Sequence, residues 1–113
     1  MKRRIIAVIT DILGDRVIVG ETELQHSIED HFTSVPQDIV LELMEKVLKD
    51  PTEIYRDDLK KQQIFNFFYR LDAGPKYLVA VIKITPDGAF FASMYPTGKT
   101  VRNKHKKYRK VKI

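Results

Sequence analysis

Residues 77–97 read Tyr77-Leu-Val-Ala-Val-Ile-Lys-Ile-Thr85-Pro-Asp-Gly88-Ala-Phe-Phe-Ala-Ser93-Met-Tyr95-Pro-Thr97, and the architecture can be built outward from this stretch. Tyr77 to Ile84 is apolar on both alternating faces apart from Lys83, the pattern of a strand covered on two sides and central in its sheet. Pro86-Asp87-Gly88 is a turn with a mechanism, because Pro presets φ, Asp caps the backbone and Gly supplies φ > 0. Ala89 to Tyr95 then pairs back as the second arm of a hairpin. Upstream, Ile64 to Leu71 reads as another strand with four aromatic residues, Phe65, Phe67, Phe68 and Tyr69, joined to Tyr77 by a turn at Asp72-Ala73-Gly74-Pro75. Thr52 to Tyr55 is a short further strand, with Asp57-Asp58 and Lys60-Lys61 read as loop surface.

The N-terminal half mixes both periodicities. Arg4 to Leu13 and Arg16 to Val19 are β-branched runs around a Gly14-Asp15 turn, which predicts a hairpin. From Glu21 to Phe32 the spacing of Leu24, Ile28 and Phe32 predicts a short helix that carries His26 and His31. A longer helix follows. Ser34 and Gln37 have capping-box spacing, Pro36 falls in the first turn, and Ile39, Leu43 and Val47 repeat at four, as do Val40, Met44 and Leu48. Asp50-Pro51 ends it, since the residue before proline is pushed out of the helical region. The expected class is α+β, an N-terminal hairpin and helices packed on a three- or four-stranded antiparallel β-meander.

With 113 residues and 43% apolar side chains, one core is feasible without staples. The absence of cysteine removes disulfides, zinc–thiolate sites and cysteine nucleophiles together. Met1-Lys2-Arg3-Arg4 before Ile5-Ile6-Ala7-Val8-Ile9 imitates a signal peptide, but the apolar run ends at Thr10-Asp11 with no small-residue cleavage site after it. No segment approaches the ~20 apolar residues of a membrane span, so a cytoplasmic protein without a membrane partner is expected.

Charge is segregated. The net +5 hides eight Lys or Arg from Lys99 onward with no acid, against twelve bases and all fifteen acids before it, a net of −3. The chain thus divides into a domain over 1–100 and a basic C-terminal tail over 101–113. Such a block is either a solvated chain end or a footprint for phosphate backbones, and His105 and Tyr108 within it could stack on bases. The residues expected to touch nucleic acid are Lys99, Arg102, Lys104, Lys106, Lys107 and Arg109.

Two places could carry chemistry. His26 and His31 lie about 140° apart on a helix, so they do not share a face as metal ligands at i, i+4 would, and no carboxylate cluster resembles a two-metal site. No metal and no cofactor are therefore expected. RNA allows hydrolysis on those terms, because its 2′-hydroxyl is the nucleophile and the enzyme need only move protons and stabilise a dianionic phosphorane. The second place is Ser93-Met94-Tyr95-Pro96-Thr97-Gly98-Lys99. If the chain stays extended, Ser93, Tyr95 and Thr97 point to one face as a phosphate-handling edge; the competing reading is an ordinary strand end and turn.

The order of a His-bearing helix, a helix ending in Asp-Pro, an aromatic strand and Ser-x-Tyr-Pro-Thr resembles the phage and mobile-element members of the barnase–EndoU–colicin–RelE-like nuclease superfamily. The matching residues are His26 with His31, "DPTEIY" at 50–55, "YLVAVIKI" at 77–84 and "SMYPTGK" at 93–99, covering roughly residues 24–99. The resemblance implies a cleft in which His26 or His31 is the general base or acid. Tyr95 would orient the phosphate or share proton transfer, Ser93 and Thr97 would bind its oxygens, and Lys99 or Arg102 would offset charge. The function expected is a metal-independent endoribonuclease of toxin or phage-effector type, with RNA as partner and an antitoxin or immunity protein as a second one. The rival is a non-catalytic nucleic-acid-binding module that relies on the basic tail. Phe65, Phe67 and Tyr69 share one face, Phe68 the other, and the stripe is read as core or helix-facing.

Overall fold

The computed structural model describes residues 4–60, 62–71, 76–98 and 103–113. The turn read at 72–75, and Lys61, Lys99 and Arg102, lie outside them. In chain order come β1 (Ile5–Thr10), β2 (Arg16–Gly20), α1 (Glu21–His31), α2 (Gln37–Lys49), β3 (Glu53–Lys60), β4 (Gln63–Leu71), β5 (Tyr77–Thr85), β6 (Gly88–Thr97) and β7 (Arg109–Val111).

The sheet is larger than a three- or four-stranded meander. All seven strands form one mixed sheet in the order β1-β2-β6-β5-β4-β3-β7, with β2 and β6 parallel and every other pair antiparallel. The N-terminal hairpin extends this sheet through Val17↔Ala89 and Ile18↔Phe90 instead of packing on it. At the opposite edge, Arg109, Lys110 and Val111 pair with Arg56, Tyr55 and Ile54, so β7 lies within the segment 101–113. Strand β3 is longer than expected: Asp57, Asp58 and Lys60 belong to it, where the sequence suggested a loop. β5 sits fourth of seven, as its two-sided apolar pattern requires.

Both helices cover one face. Val40, Met44, Val47 and Leu48 of α2 and Leu24 of α1 are fully buried against Val17, Val19, Ile54, Phe68, Ala80, Ile82 and Met94. Each such aliphatic side chain contributes roughly 1.5–3 kcal/mol by leaving water. α2 starts after Pro36 with no side-chain cap, so the capping box does not form; Gln37 instead accepts a 3.1 Å hydrogen bond from Gln25 of α1. Its last turn is tied to the β1–β2 turn by the Ile12 N–H donating to the Leu48 carbonyl at 2.9 Å. In that turn Asp11 accepts from the backbone N–H groups of Leu13 and Asp15, and Gly14 adopts φ 91°. Burial still raises the Asp11 pKa, despite those two bonds.

α1 follows β2 without a loop and runs alongside β6 where the short parallel pairing ends. There a buried β6 donor, the Met94 N–H, gives its hydrogen bond to Ser27 Oγ at 3.1 Å. A serine in mid-helix thus replaces a missing strand neighbour. Ser27→Ala leaves that N–H buried and unpaired, and should cost about 1–3 kcal/mol in urea denaturation.

Candidate active site on the open sheet face

The face turned away from the helices carries most of the polar chemistry, and the strand registers define it. Alternation places Thr97, Tyr95 and Ser93 of β6 on this face, opposite Tyr77, Val79 and Val81 of β5. On β4 the same rows continue into Leu71, Tyr69 and Phe67. On β3 they reach Glu53 and Tyr55. The aromatic stripe divides as its alternation predicts, but the helices cover the Phe68 side: Phe68 packs under them, while Phe65, Phe67 and Tyr69 face the open side. Tyr69, Tyr77 and Val79 are buried there in a second, smaller cluster with Tyr55. An irregularity between Val81 and Ile82, opposite the extra residue Ala92, restores Phe91 to the core and leaves Phe90 on the open side.

α1 lies along the β6 edge, so side chains near its C-terminus reach the open face. The imidazole of His31 stands 5.7 Å from the ring of Tyr95, tilted at 44°. His31 is exposed, and Tyr95, Ser93 and Thr97 are half-buried. Burial raises the Tyr95 pKa above the ordinary 10.0, so the residue remains a phenol and a hydrogen-bond donor at neutral pH. His26 is exposed on another side of the helix, and of the two imidazoles it is His31 that stands beside the Tyr95 ring. Farther along β6, past the irregularity, a cleft of about 500 Å³ is lined by Glu23, Lys83, Thr85, Asp87 and Phe90.

Across the face a second group of polar residues stands on β3 and β4, under residues 103–111. The Tyr69 hydroxyl is hydrogen-bonded to Nδ1 of His105. His105 stacks on Phe67 with centroids 4.0 Å apart and planes at 22°, and Tyr108 lies nearly parallel to Phe67 at 5.7 Å. The Tyr55 hydroxyl donates to Glu53 Oε2 at 2.8 Å, and Lys110 Nζ is 4.0 Å from the same oxygen. Along the chain His105 and Tyr108 are only two rings within a basic run. Nothing along the chain links His105 to Tyr69, 36 residues earlier.

Of the basic residues expected at a nucleic-acid interface, Lys104, Lys106, Lys107 and Arg109 are described and exposed. Arg109 is engaged within the fold, its Nε and Nη2 donating to Asp58 Oδ2 at 3.2 and 2.9 Å. Lys107 Nζ lies 5.2 Å from the Tyr108 ring centre. Among the described residues no group of three or more His, Asp or Glu is arranged to hold a metal ion. No helix in them is long and apolar enough to cross a membrane.

Compared with known proteins, residues 2–113 match the family model described as phage-Barnase-EndoU-ColicinE5/D-RelE like nuclease2. Neither a curated protein nor a solved structure matches the chain.

Proposed function

The chain belongs to the phage Barnase–EndoU–ColicinE5/D–RelE-like nuclease 2 family, and on that premise we propose that it is a metal-independent endoribonuclease. It would cleave by attack of the RNA 2′-hydroxyl, leaving a 2′,3′-cyclic phosphate and a 5′-hydroxyl. The observation that carries this reading is the contact of His31 with Tyr95, on a strand face shared with Ser93 and Thr97. Imidazole exchanges protons near neutral pH, which both halves of the reaction need. The Tyr95 phenol and the hydroxyls of Ser93 and Thr97 donate to non-bridging phosphate oxygens as charge develops on them. His26, about a turn and a half earlier on α1 and also exposed, is the alternative imidazole. Lys104, Lys106 and Lys107, with Lys99 and Arg102, supply affinity for the backbone; each phosphate neutralised releases counterions and steepens the salt dependence.

Purified protein incubated with total and transfer RNA in EDTA should produce discrete fragments with cyclic-phosphate ends. RNA left intact in EDTA but cut once a divalent metal is restored would overturn the mechanism. RNA bound tightly yet never cut, with binding that survives His31→Ala and Tyr95→Phe, would leave a basic binding module, the toxin or phage-effector role falling with the activity.

A further inference from the structure

Cleavage by 2′-hydroxyl attack needs two proton transfers on opposite sides of the phosphorus, and His31 with Tyr95 stands on only one side of the open face. On the other side stands a second imidazole, His105, held in place by its neighbours. Its ring lies flat on Phe67, and its Nδ1 is bonded to the Tyr69 hydroxyl. Tyr69 is fully buried, wedged edge-on between Tyr55 and Tyr77 at 5.9 Å from each, so the hydroxyl that holds the imidazole cannot swing. The segment bearing His105 is fastened downstream by β7 and by the Arg109–Asp58 pair. One nitrogen is thus fixed by Tyr69, while Nε2 lies on the far side of the ring.

Building on the ribonuclease reading, we propose that His105 is a catalytic residue of this face, the general base for the 2′-hydroxyl, and that Tyr69 is its positioning residue. The register sets the spacing. Tyr95 and Tyr69 are two strands apart with Val79 between them, and Ser93 and Phe67 likewise flank Val81. Two strand spacings come to about 10 Å. A phosphate lying over the two valines is therefore flanked by the Tyr95 row on one side and the Tyr69 row on the other.

With Nδ1–H donated to the Tyr69 oxygen, Nε2 presents its lone pair and takes the 2′-hydroxyl proton. The 2′-oxygen–phosphorus bond forms, the phosphorus–5′-oxygen bond breaks, and protonated His31 gives its proton to the departing 5′-oxygen. Solvent then returns the two imidazoles to their starting states. The charges around His105 suit a base. Burial lowers its pKa below the ordinary 6.5, Lys107 and Lys104 push it the same way, and Asp57 of β3 opposes them. The Tyr69 hydroxyl from β4 and the ring of Tyr108 from its own segment also face it. The base form is therefore present at neutral pH. Because the folded state holds fewer protons here than the unfolded chain, the anchoring of residues 103–111 weakens as pH falls below 6.5.

The decisive experiment compares wild type, His105→Gln, Tyr69→Phe and His31→Ala in EDTA across pH 4.5–9. Two substrates are used: an RNA dinucleotide, and a uridine 3′-phosphate ester of 4-nitrophenol, whose leaving group departs without a proton. His105→Gln should lower kcat on both substrates by about 10²–10⁴-fold and erase the acid limb of the pH profile. His31→Ala should lose activity on RNA but keep it on the nitrophenyl ester. Tyr69→Phe should give a smaller loss, with the acid limb shifted and KM unchanged. Wild-type rates in His105→Gln, or a loss confined to RNA, would overturn the assignment of the base while leaving the ribonuclease reading intact. A wild-type protein inert on both substrates would bring down the ribonuclease reading and this inference with it.

Discussion

Replacing His31 with alanine should slow RNA cleavage by about 10²–10⁴-fold, the usual loss for a positioned general acid or base. The change should leave folding almost untouched. His31 is exposed in the last turn of α1, and exposed substitutions usually stay within about 0.5 kcal/mol. Tyr95→Phe should lower the rate as well, through loss of one phosphate donor, and should leave binding in place because only an oxygen is removed. Cleavage assays beside urea titrations of the same variants separate the two effects. If His26→Ala loses activity and His31→Ala does not, the ring contact with Tyr95 is only packing, and the catalytic imidazole is the other one.

On stability, Phe68→Ala should have the largest effect, about 3–5 kcal/mol. Phe68 is fully buried under the helices, paired with Ile54 of β3 and Ala80 of β5, and nothing around it can collapse into the volume of a phenyl ring. Marginal domains hold only about 5–15 kcal/mol in all, so this variant should be near its folding limit. Phe65→Ala, three residues earlier, should cost far less. Phe65 is half-buried on the open face, stacked at 6.5 Å on Phe67 alone among its described ring partners. Urea midpoints for the pair test which side of the sheet carries the core, and a larger loss from Phe65→Ala would reverse the assignment of faces.

Some of this was legible along the chain because the signals are local. The two-sided apolar run of 77–84, the Pro-Asp-Gly turn and the four-residue repeats of α2 each arise from neighbours within a few residues, and all three appear in the fold. Alternation likewise set Ser93, Tyr95 and Thr97 on one face, since a strand that stays extended has no other choice. The cap of α2 was misread, because Gln37 found a partner on α1, twelve residues back. The aromatic stripe was read as core or helix-facing; Tyr69 is buried in the smaller cluster away from the helices, because period-two alternation shows that Phe68 opposes Phe65, Phe67 and Tyr69, but not which side the helices cover.

Class, the strands β1, β2, β4, β5 and β6, the length of α2 and the hydroxyl row of β6 are properties of local pattern, and the amino-acid order alone was enough for them. Folding in three dimensions was needed to join the N-terminal hairpin to β6, to bring β7 to β3, to choose His31 as the neighbour of Tyr95 and to seat His105 on Tyr69. Each of these pairs residues tens of positions apart, selected by which edge and which face remain open once the core has closed. A chain of side chains read in order carries no record of that selection.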